Sequence, residues 1–319
     1  MSQKRTLHAF FAPAAKKARL NEDTSNGPRH SDHRHYPCPI LDVPQSMSKA
    51  IASLPARTGK VIKNQPHLDL LYFEPYIPSD LAKDLFAFLR SELPFYRVEY
   101  KINRGGIQTD VRTPRYTTVF GIDETARFAE DGSVVDAKSG EPVQDRRYDR
   151  YPPRPIPGCL DELRRSTETA TGCTFNFCLV NYYASGADSI SFHSDDERFL
   201  GPEPAIASFS LGGKRDFVLK PKPVPKGPDP DLSPVAKTLK FPLASGHMIL
   251  MRGPTQSNWL HSVPKRGGRN PEDGGRINIT FRKATSKDGT ENYYNYNVGT
   301  GPVYRWDRAS RQMRVSSSP

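Results

Sequence analysis

The chain contains no run of about 18 apolar residues, so no segment of it is long and oily enough to span a bilayer as a helix. Its N-terminus lacks the apolar core of a secretory leader. Cysteine is scarce: Cys38, Cys159, Cys173 and Cys178 are the only four in 319 residues, and no two form a C-x-x-C pair. That spacing excludes a disulfide framework and fits a reducing, intracellular compartment. No internal repeat is visible. Negative charge is the short side of the balance, with 35 Asp and Glu against 46 Lys and Arg, a formal net charge of +11. A surplus of this size points to a polyanionic partner, nucleic acid ahead of a membrane surface.

The length suits one large domain with tails. Residues 1–66 are polar, charged and proline-bearing without sustained periodicity, which predicts a disordered arm. Order is expected from "HLDLLYFEPYIP" onward. Ser79 reads as an N-cap, and Leu81, Leu85, Phe88 and Leu89 mark one face of a helix that must stop before Pro94. A second helix fits "GCLDELRRSTETATG", with Leu160 and Leu163 inward and Gly172 at its end. Between them, residues 122–155 form a polar insertion, a hairpin or a loop.

From Cys173 the character changes. "TFNFCLVNYY", "AIASFSLGG", "RDFVLK", "TLKFPL", "HMILMRG" and "RINITFRK" are short β-rich runs separated by turn residues, with no helix-length pattern between them. This predicts a mainly β, sandwich or barrel-like core. Residues 285–319 form a polar tail carrying aromatics and arginines.

Within this core, "SISFHSDDERFLG" places His193 and Asp195 two residues apart, on the same side of an extended segment. An imidazole and a carboxylate so placed supply two-thirds of the two-histidine, one-carboxylate set that holds non-haem Fe(II) while leaving coordination positions open. The second histidine must come from elsewhere. His261, after an apolar run in "SNWLHSVPK", is favoured over His247, which opens a strand directly after Gly246. In "GRINITFRK", Arg276, Asn278, Thr280 and Arg282 alternate with Ile277, Ile279 and Phe281, giving a strand with one apolar and one polar face. Two guanidinium ions with an amide and a hydroxyl make a socket for a dicarboxylate. Asn181 and Tyr183 share a face of a second strand and add donors.

Together, "NYY", "HSDDE", "IASFSLGGKRDFVL", "GHMILMRGPTQSNWLHSVP" and "RINITFR" closely resemble the AlkB family of Fe(II)/2-oxoglutarate-dependent dioxygenases, nearest its eukaryotic DNA-repair branch. The resemblance spans roughly residues 68–284. It implies a double-stranded β-helix (jelly-roll) core with flanking helices and a dioxygenase domain over residues 67–284. It further implies Fe(II) on His193, Asp195 and His261, with 2-oxoglutarate and O₂ as co-substrates. Arg282 would meet the distal carboxylate of 2-oxoglutarate, with Arg276, Asn181 and Tyr183 completing the pocket and Asn278 and Thr280 on the same face. Asp196 would lie near an extruded base, and Arg115 and Phe120 would contact the nucleic acid or line the base pocket. The implied reaction is oxidative demethylation of 1-methyladenine and 3-methylcytosine in DNA, with release of formaldehyde. The same chemistry on RNA or another substrate, and a non-catalytic nucleic-acid-binding module, are the competing readings. Relatives that act on duplexes use an apolar-tipped hairpin. The equivalent here is "NRGGIQTDVRTPR", in which Ile107 is the candidate wedge.

The N-terminal "QKRTLHAFF" resembles the peptide by which repair proteins bind the sliding clamp, with Leu7, Phe10 and Phe11 as the apolar plug over residues 4–11. Gln3 stands one residue further from Leu7 than is usual for that peptide. "KKAR" at residues 16–19 is a nuclear-import candidate. A monomer in the nucleus, or in the cytoplasm, acting on nucleic acid and not on membranes is the expectation.

Overall fold

A computed structural model describes residues 29–223, 236–267, 275–290, 293–294 and 301–316. The first elements are short: β1 (His30–Ser31), β2 (Ile40–Leu41), α1 (Gln45–Ile51), β3 (Lys60–Ile62) and β4 (Leu70–Phe73). Then α2 (Ser79–Glu92) precedes an isolated ribbon of β5 (Glu99–Arg104) and β6 (Ile107–Arg112), followed by β7 (Tyr116–Gly121). The insertion carries β8 (Ala126–Phe128) and β9 (Val134–Asp136), and α3 (Gly158–Thr171) follows it. The β-rich half comprises β10 (Phe177–Tyr183), β11 (Ile190–His193), β12 (Ile206–Gly212), β13 (Arg215–Pro221), β14 (Leu239–Leu243) and β15 (Met248–Met251). It ends with the single turn α4 (Thr255–Asn258), β16 (Trp259–Val263) and β17 (Arg276–Arg282); β18 (Tyr304–Asp307) and β19 (Gln312–Val315) form a terminal hairpin.

Two antiparallel sheets make the core. The larger runs in the order β3-β4-β15-β12-β17-β10-β7, and the smaller in the order β11-β16-β13-β14. Because side chains alternate along a strand, the large sheet has two buried faces. One carries Tyr116, Phe120, Cys178, Val180, Phe209, Ile277, Ile279 and Phe281 and packs under α2 and α3. The other looks at the small sheet, and Leu70, Ile249 and Met251 share a cluster with Phe217, Leu219, Leu243 and Val263 across the gap. This is the expected jelly-roll arrangement with flanking helices. No helix among the described residues is long and apolar enough to cross a membrane.

The helix expectations hold with one shift. Leu85 and Leu89 of α2 are buried, but the N-cap is Pro78 rather than Ser79, which occupies the first helical position and makes no side-chain cap. Gly172 closes α3 with φ 69°, the left-handed conformation that glycine adopts at least cost.

One expectation is corrected. Residues 29–66 were expected to be disordered, yet they carry β1, β2, α1 and β3. Ile40 and Ile51 are fully buried with the α2 and α3 side chains, and the Tyr36 hydroxyl donates to the Pro155 carbonyl oxygen. Each of these apolar residues docks singly on the domain, so no periodic pattern announces the segment. Part of the C-terminal segment also packs on the domain. Tyr304 is buried and packs edge-on against Tyr116 at 5.1 Å, and Arg90 lies over the Trp306 ring at 3.8 Å. The clamp-like peptide with Leu7, Phe10 and Phe11 lies outside the described residues.

Candidate metal centre and oxoacid cavity

The metal-ligand candidates sit where the small sheet faces the large one. His193 ends β11 and His261 is mid-strand in β16; the two are cross-strand partners, with ring centroids 4.2 Å apart. Asp195 follows in the turn after β11, its carboxylate oxygens 4.0 Å from His193 Nε2 and 3.8 Å from His261 Nε2. One ligand atom from each residue lies within 4.8 Å of the others, the only such group among the described residues. His247, the rival, is elsewhere: its Nδ1 bonds the Tyr72 hydroxyl at 2.7 Å.

The surroundings orient each ligand. His193 Nδ1 lies 2.9 Å from the Ser191 carbonyl oxygen, so Nδ1 carries the proton and Nε2 is left as a lone-pair donor. Gln256 Oε1 accepts the Asp195 backbone N–H at 2.9 Å and fixes the turn. Burial works against a charged Asp195 carboxyl, but Arg282 and then the two imidazoles outweigh it and hold its pKa at about 2. Burial, aided by His193 and opposed by Asp195, pulls His261 down to about 3. An ionised Asp195 and a neutral His261 are the protonation states that bind a divalent cation, and a two-histidine, one-carboxylate donor set suits Fe(II).

Beside the triad lies a cavity of about 210 Å³. Of the predicted residues, Arg115, Asn181, Tyr183, Asn278, Thr280 and Arg282 line it together with the triad. Arg115 Nε donates to Asn181 Oδ1 at 3.1 Å, and Asn278 Nδ2 donates to Ser208 Oγ at 2.9 Å. The two arginines of β17 differ in place. Arg282 Nη2 donates to Asp195 Oδ2 at 2.9 Å, so this guanidinium stands at the metal end; its Nε and Nη1 are buried without partners. Arg276, six residues away, bonds Ser210 Oγ, lies over the Tyr183 ring at 5.3 Å and has Nη1 unpaired. Burial draws Arg276 down to about 10, with Tyr183 opposing and Arg215 adding to the shift. The distal-carboxylate role expected of Arg282 therefore conflicts with its position beside Asp195.

Two predicted substrate residues are not in the cavity. Phe120 has the parity of the helix-side face and is fully buried there, edge-on to Tyr36 at 5.9 Å. Asp196 turns outward to an exposed ion pair with Lys222. The following residue, Glu197, points in instead and lines the cavity, as does Tyr293 from the C-terminal segment. The sequence reading missed both. For Glu197 the signal was there, since consecutive residues in an extended turn project to opposite sides; for Tyr293 no local pattern existed.

Residues 69–282 match the family model described as the 2OG-Fe(II) oxygenase superfamily. The chain is 32% identical over 266 residues to "DNA oxidative demethylase ALKBH2" of Arabidopsis thaliana, a match covering 79% of this chain and 77% of that one. It is 41% identical over 131 residues to the human protein of the same name, covering 41% of this chain and 48% of the relative. With human "Alpha-ketoglutarate-dependent dioxygenase alkB homolog 3" it shares 43% over 124 residues, or 39% and 41% of the two chains. The chain thus spans less than half the length of these two human relatives.

Proposed function

Because the chain belongs to the 2OG-Fe(II) oxygenase superfamily, in its AlkB family, we propose that it is a DNA oxidative demethylase that removes N-methyl groups from bases such as 1-methyladenine and 3-methylcytosine. The observation that carries this reading is the open-sided triad of His193, Asp195 and His261 beside a cavity whose wall includes buried, incompletely paired guanidinium nitrogens. Fe(II) with 2-oxoglutarate and O₂ supplies the oxidation: the keto acid goes to succinate and CO₂, and one oxygen atom is placed on the N-methyl carbon, which then leaves as formaldehyde.

The chain's own residues do the rest. His193 Nε2, His261 Nε2 and the Asp195 carboxylate are the iron donors. Arg282 keeps that carboxylate ionised and offers its free Nε and Nη1 to the metal-proximal end of the oxoacid. Tyr183 lines the cavity and is the contact for the distal carboxylate, with the Arg276 guanidinium against its ring at 5.3 Å supplying positive charge from behind the cavity wall, which reverses the order of the arginines read from the sequence. Asn181, Asn278 and Thr280 supply the polar wall. Glu197 Oε2 is buried without a hydrogen-bond partner in a residue that lines the cavity. It is the acceptor for the exocyclic amino group of a methylated adenine or cytosine, and an unsatisfied buried carboxylate oxygen gives the enzyme a reason to wait for one. A methylated base must leave the stack to reach this point, and impaired pairing makes that easier.

The β5–β6 ribbon stands free of both sheets and ends three residues before Arg115. Its turn, Gly105 and Gly106 with φ 58° and 84°, has the two left-handed residues of a tight hairpin, and Ile107 beside it is 71% exposed. That tip is the surface that engages DNA around the extruded base. The N-terminal peptide with Leu7, Phe10 and Phe11 recruits the enzyme to a sliding clamp in the nucleus. Replacing Phe10 and Phe11 by Ala is expected to abolish binding of the labelled peptide to the clamp while leaving turnover of a short oligonucleotide intact; equal binding by both peptides removes the recruitment role.

The direct assay is formaldehyde release from oligonucleotides carrying one methylated base, in DNA and RNA forms. Wild type is expected to release it from DNA, and the His193→Ala variant to release none. Turnover surviving in that variant contradicts the metal assignment, and release from RNA alone replaces the substrate.

A further inference from the structure

The family match stops at Arg282, yet the cavity is completed by a residue beyond it. Tyr293 donates from its hydroxyl to Glu197 Oε1 at 2.6 Å, while its ring lies 5.2 Å from the Arg282 guanidinium carbon. The ring is wedged edge-on against Phe177 and Phe199, with centroids 5.6 Å and 5.4 Å away. Its neighbour Tyr294 is anchored in turn: its hydroxyl donates to the Gly121 carbonyl oxygen at 2.7 Å and accepts the Arg154 backbone N–H at 3.2 Å. The C-terminal segment is therefore tied down at the residue next to the one that contacts Glu197.

Glu197 has two carboxylate oxygens in two different states. Oε1 is held by Tyr293, and Oε2 is buried and unpaired. A free glutamate side chain has three rotatable bonds and would rotate either oxygen toward water; the tyrosine hydroxyl removes that freedom. We propose that Tyr293 is a positioning residue for base selection: by fixing Oε1 it leaves Oε2 as the Glu197 oxygen that accepts from the extruded base, so a segment outside the family's matched region sets which methylated bases are turned over. This rests on the demethylase reading above and on Glu197 as its base contact.

The chemical consequence is a sign preference. A fixed carboxylate oxygen only accepts, so it favours a base that presents an amino group, such as 3-methylcytosine, and repels one that presents a carbonyl oxygen at the same place, such as 3-methylthymine. Once Glu197 is loose, it can swing away from the carbonyl and the penalty falls.

The test uses holoenzyme of wild type, Y293F, E197Q and the double variant on two oligonucleotides differing only in 3-methylcytosine or 3-methylthymine. Formaldehyde release gives kcat/KM for each, and titration with oxygen excluded gives each Kd. Y293F keeps the ring and its packing, so it isolates the hydroxyl. Wild type is expected to favour 3-methylcytosine. Y293F should narrow that preference by about tenfold in both kcat/KM and Kd, the scale of one hydrogen bond to a charged group, while the KM for 2-oxoglutarate moves by less than about twofold because the ring still covers Arg282. In the double variant the two effects should not add, because both act through one carboxylate. Formaldehyde release with full wild-type preference in Y293F overturns the role of Tyr293 alone, as does simple additivity with E197Q. No formaldehyde from either oligonucleotide with wild type overturns the demethylase reading beneath it.

Discussion

The two faces of β17 are equally buried and chemically opposite. Ile277, Ile279 and Phe281 are fully buried on one side, while Arg276, Asn278, Thr280 and Arg282 range from 1% to 8% exposed on the other. The apolar face is satisfied by contact alone: Phe281 packs on Phe175 at 6.2 Å and Phe209 at 6.1 Å, and nothing is left over. The polar face keeps unpaired groups in the folded chain, Arg276 Nη1 and Arg282 Nε and Nη1 among them. Buried polar atoms without partners are costly and uncommon. Two of the three, Arg282 Nε and Nη1, belong to a residue that lines the cavity, so this face is the one that borders space for a ligand while the other packs the fold. Stability and co-substrate binding should therefore separate cleanly by residue parity.

The largest departure should come from Arg282→Ala. It removes the cation from the buried Asp195 carboxylate, and breaking a buried pair costs about 3–5 kcal/mol; it also deletes the charged partner proposed for the oxoacid, worth ~1.5–3 kcal/mol. We expect a lower melting temperature together with a 2-oxoglutarate KM about 10- to 100-fold higher, and oligonucleotide affinity changed by less than about twofold. Equal losses in oligonucleotide and oxoacid affinity would mean that Arg282 faces phosphate instead.

Ile279→Ala tests the opposite face. Loss of a fully buried branched side chain should cost about 2–5 kcal/mol in denaturant unfolding, with the oxoacid KM of the folded enzyme unchanged. Asn278→Ala, one residue away, should do the reverse and raise that KM more than it lowers stability. A KM shift in Ile279→Ala as large as that in Asn278→Ala would dissolve the distinction between the faces.

The smallest effect on the fold belongs to Ile107→Ser at the ribbon tip. An exposed side chain outside both sheets should alter stability by less than about 0.5 kcal/mol. The change is expected in binding instead, with weaker affinity for methylated duplex and little change for single strands. Equal affinities for duplex in both forms would remove the tip from the DNA surface.

The parity of β17 explains what the sequence made legible. Period-two alternation in "RINITFR" and the two-residue step from His193 to Asp195 are local patterns, and local patterns survive translation into structure. Distance along the chain hid the rest. Tyr293 reaches the cavity only because Tyr294 is pinned to β7, a contact spanning 173 residues that leaves no periodic trace. Phe120 was placed by the resemblance and not by alternation, and its parity in β7 puts it on the helix-side face, opposite Cys178. Asp196 and Glu197 exchanged places in the same way, Glu197 lining the cavity and Asp196 turned to Lys222. The order proposed for Arg276 and Arg282 rests on which end of the strand meets Asp195, and that is fixed by packing between the two sheets rather than by either motif.

The central claim is that the polar face of β17 and the triad form one site for Fe(II) and an oxoacid. Oxygen-free calorimetric titration of wild type, Arg282→Ala and Ile279→Ala with Fe(II), then with 2-oxoglutarate, tests it most directly. One equivalent of each should bind to wild type and to folded Ile279→Ala, with 2-oxoglutarate binding dependent on prior iron and weakened about 10- to 100-fold in Arg282→Ala. Oxoacid binding that is indifferent to iron, or equally strong in Arg282→Ala, would contradict the account.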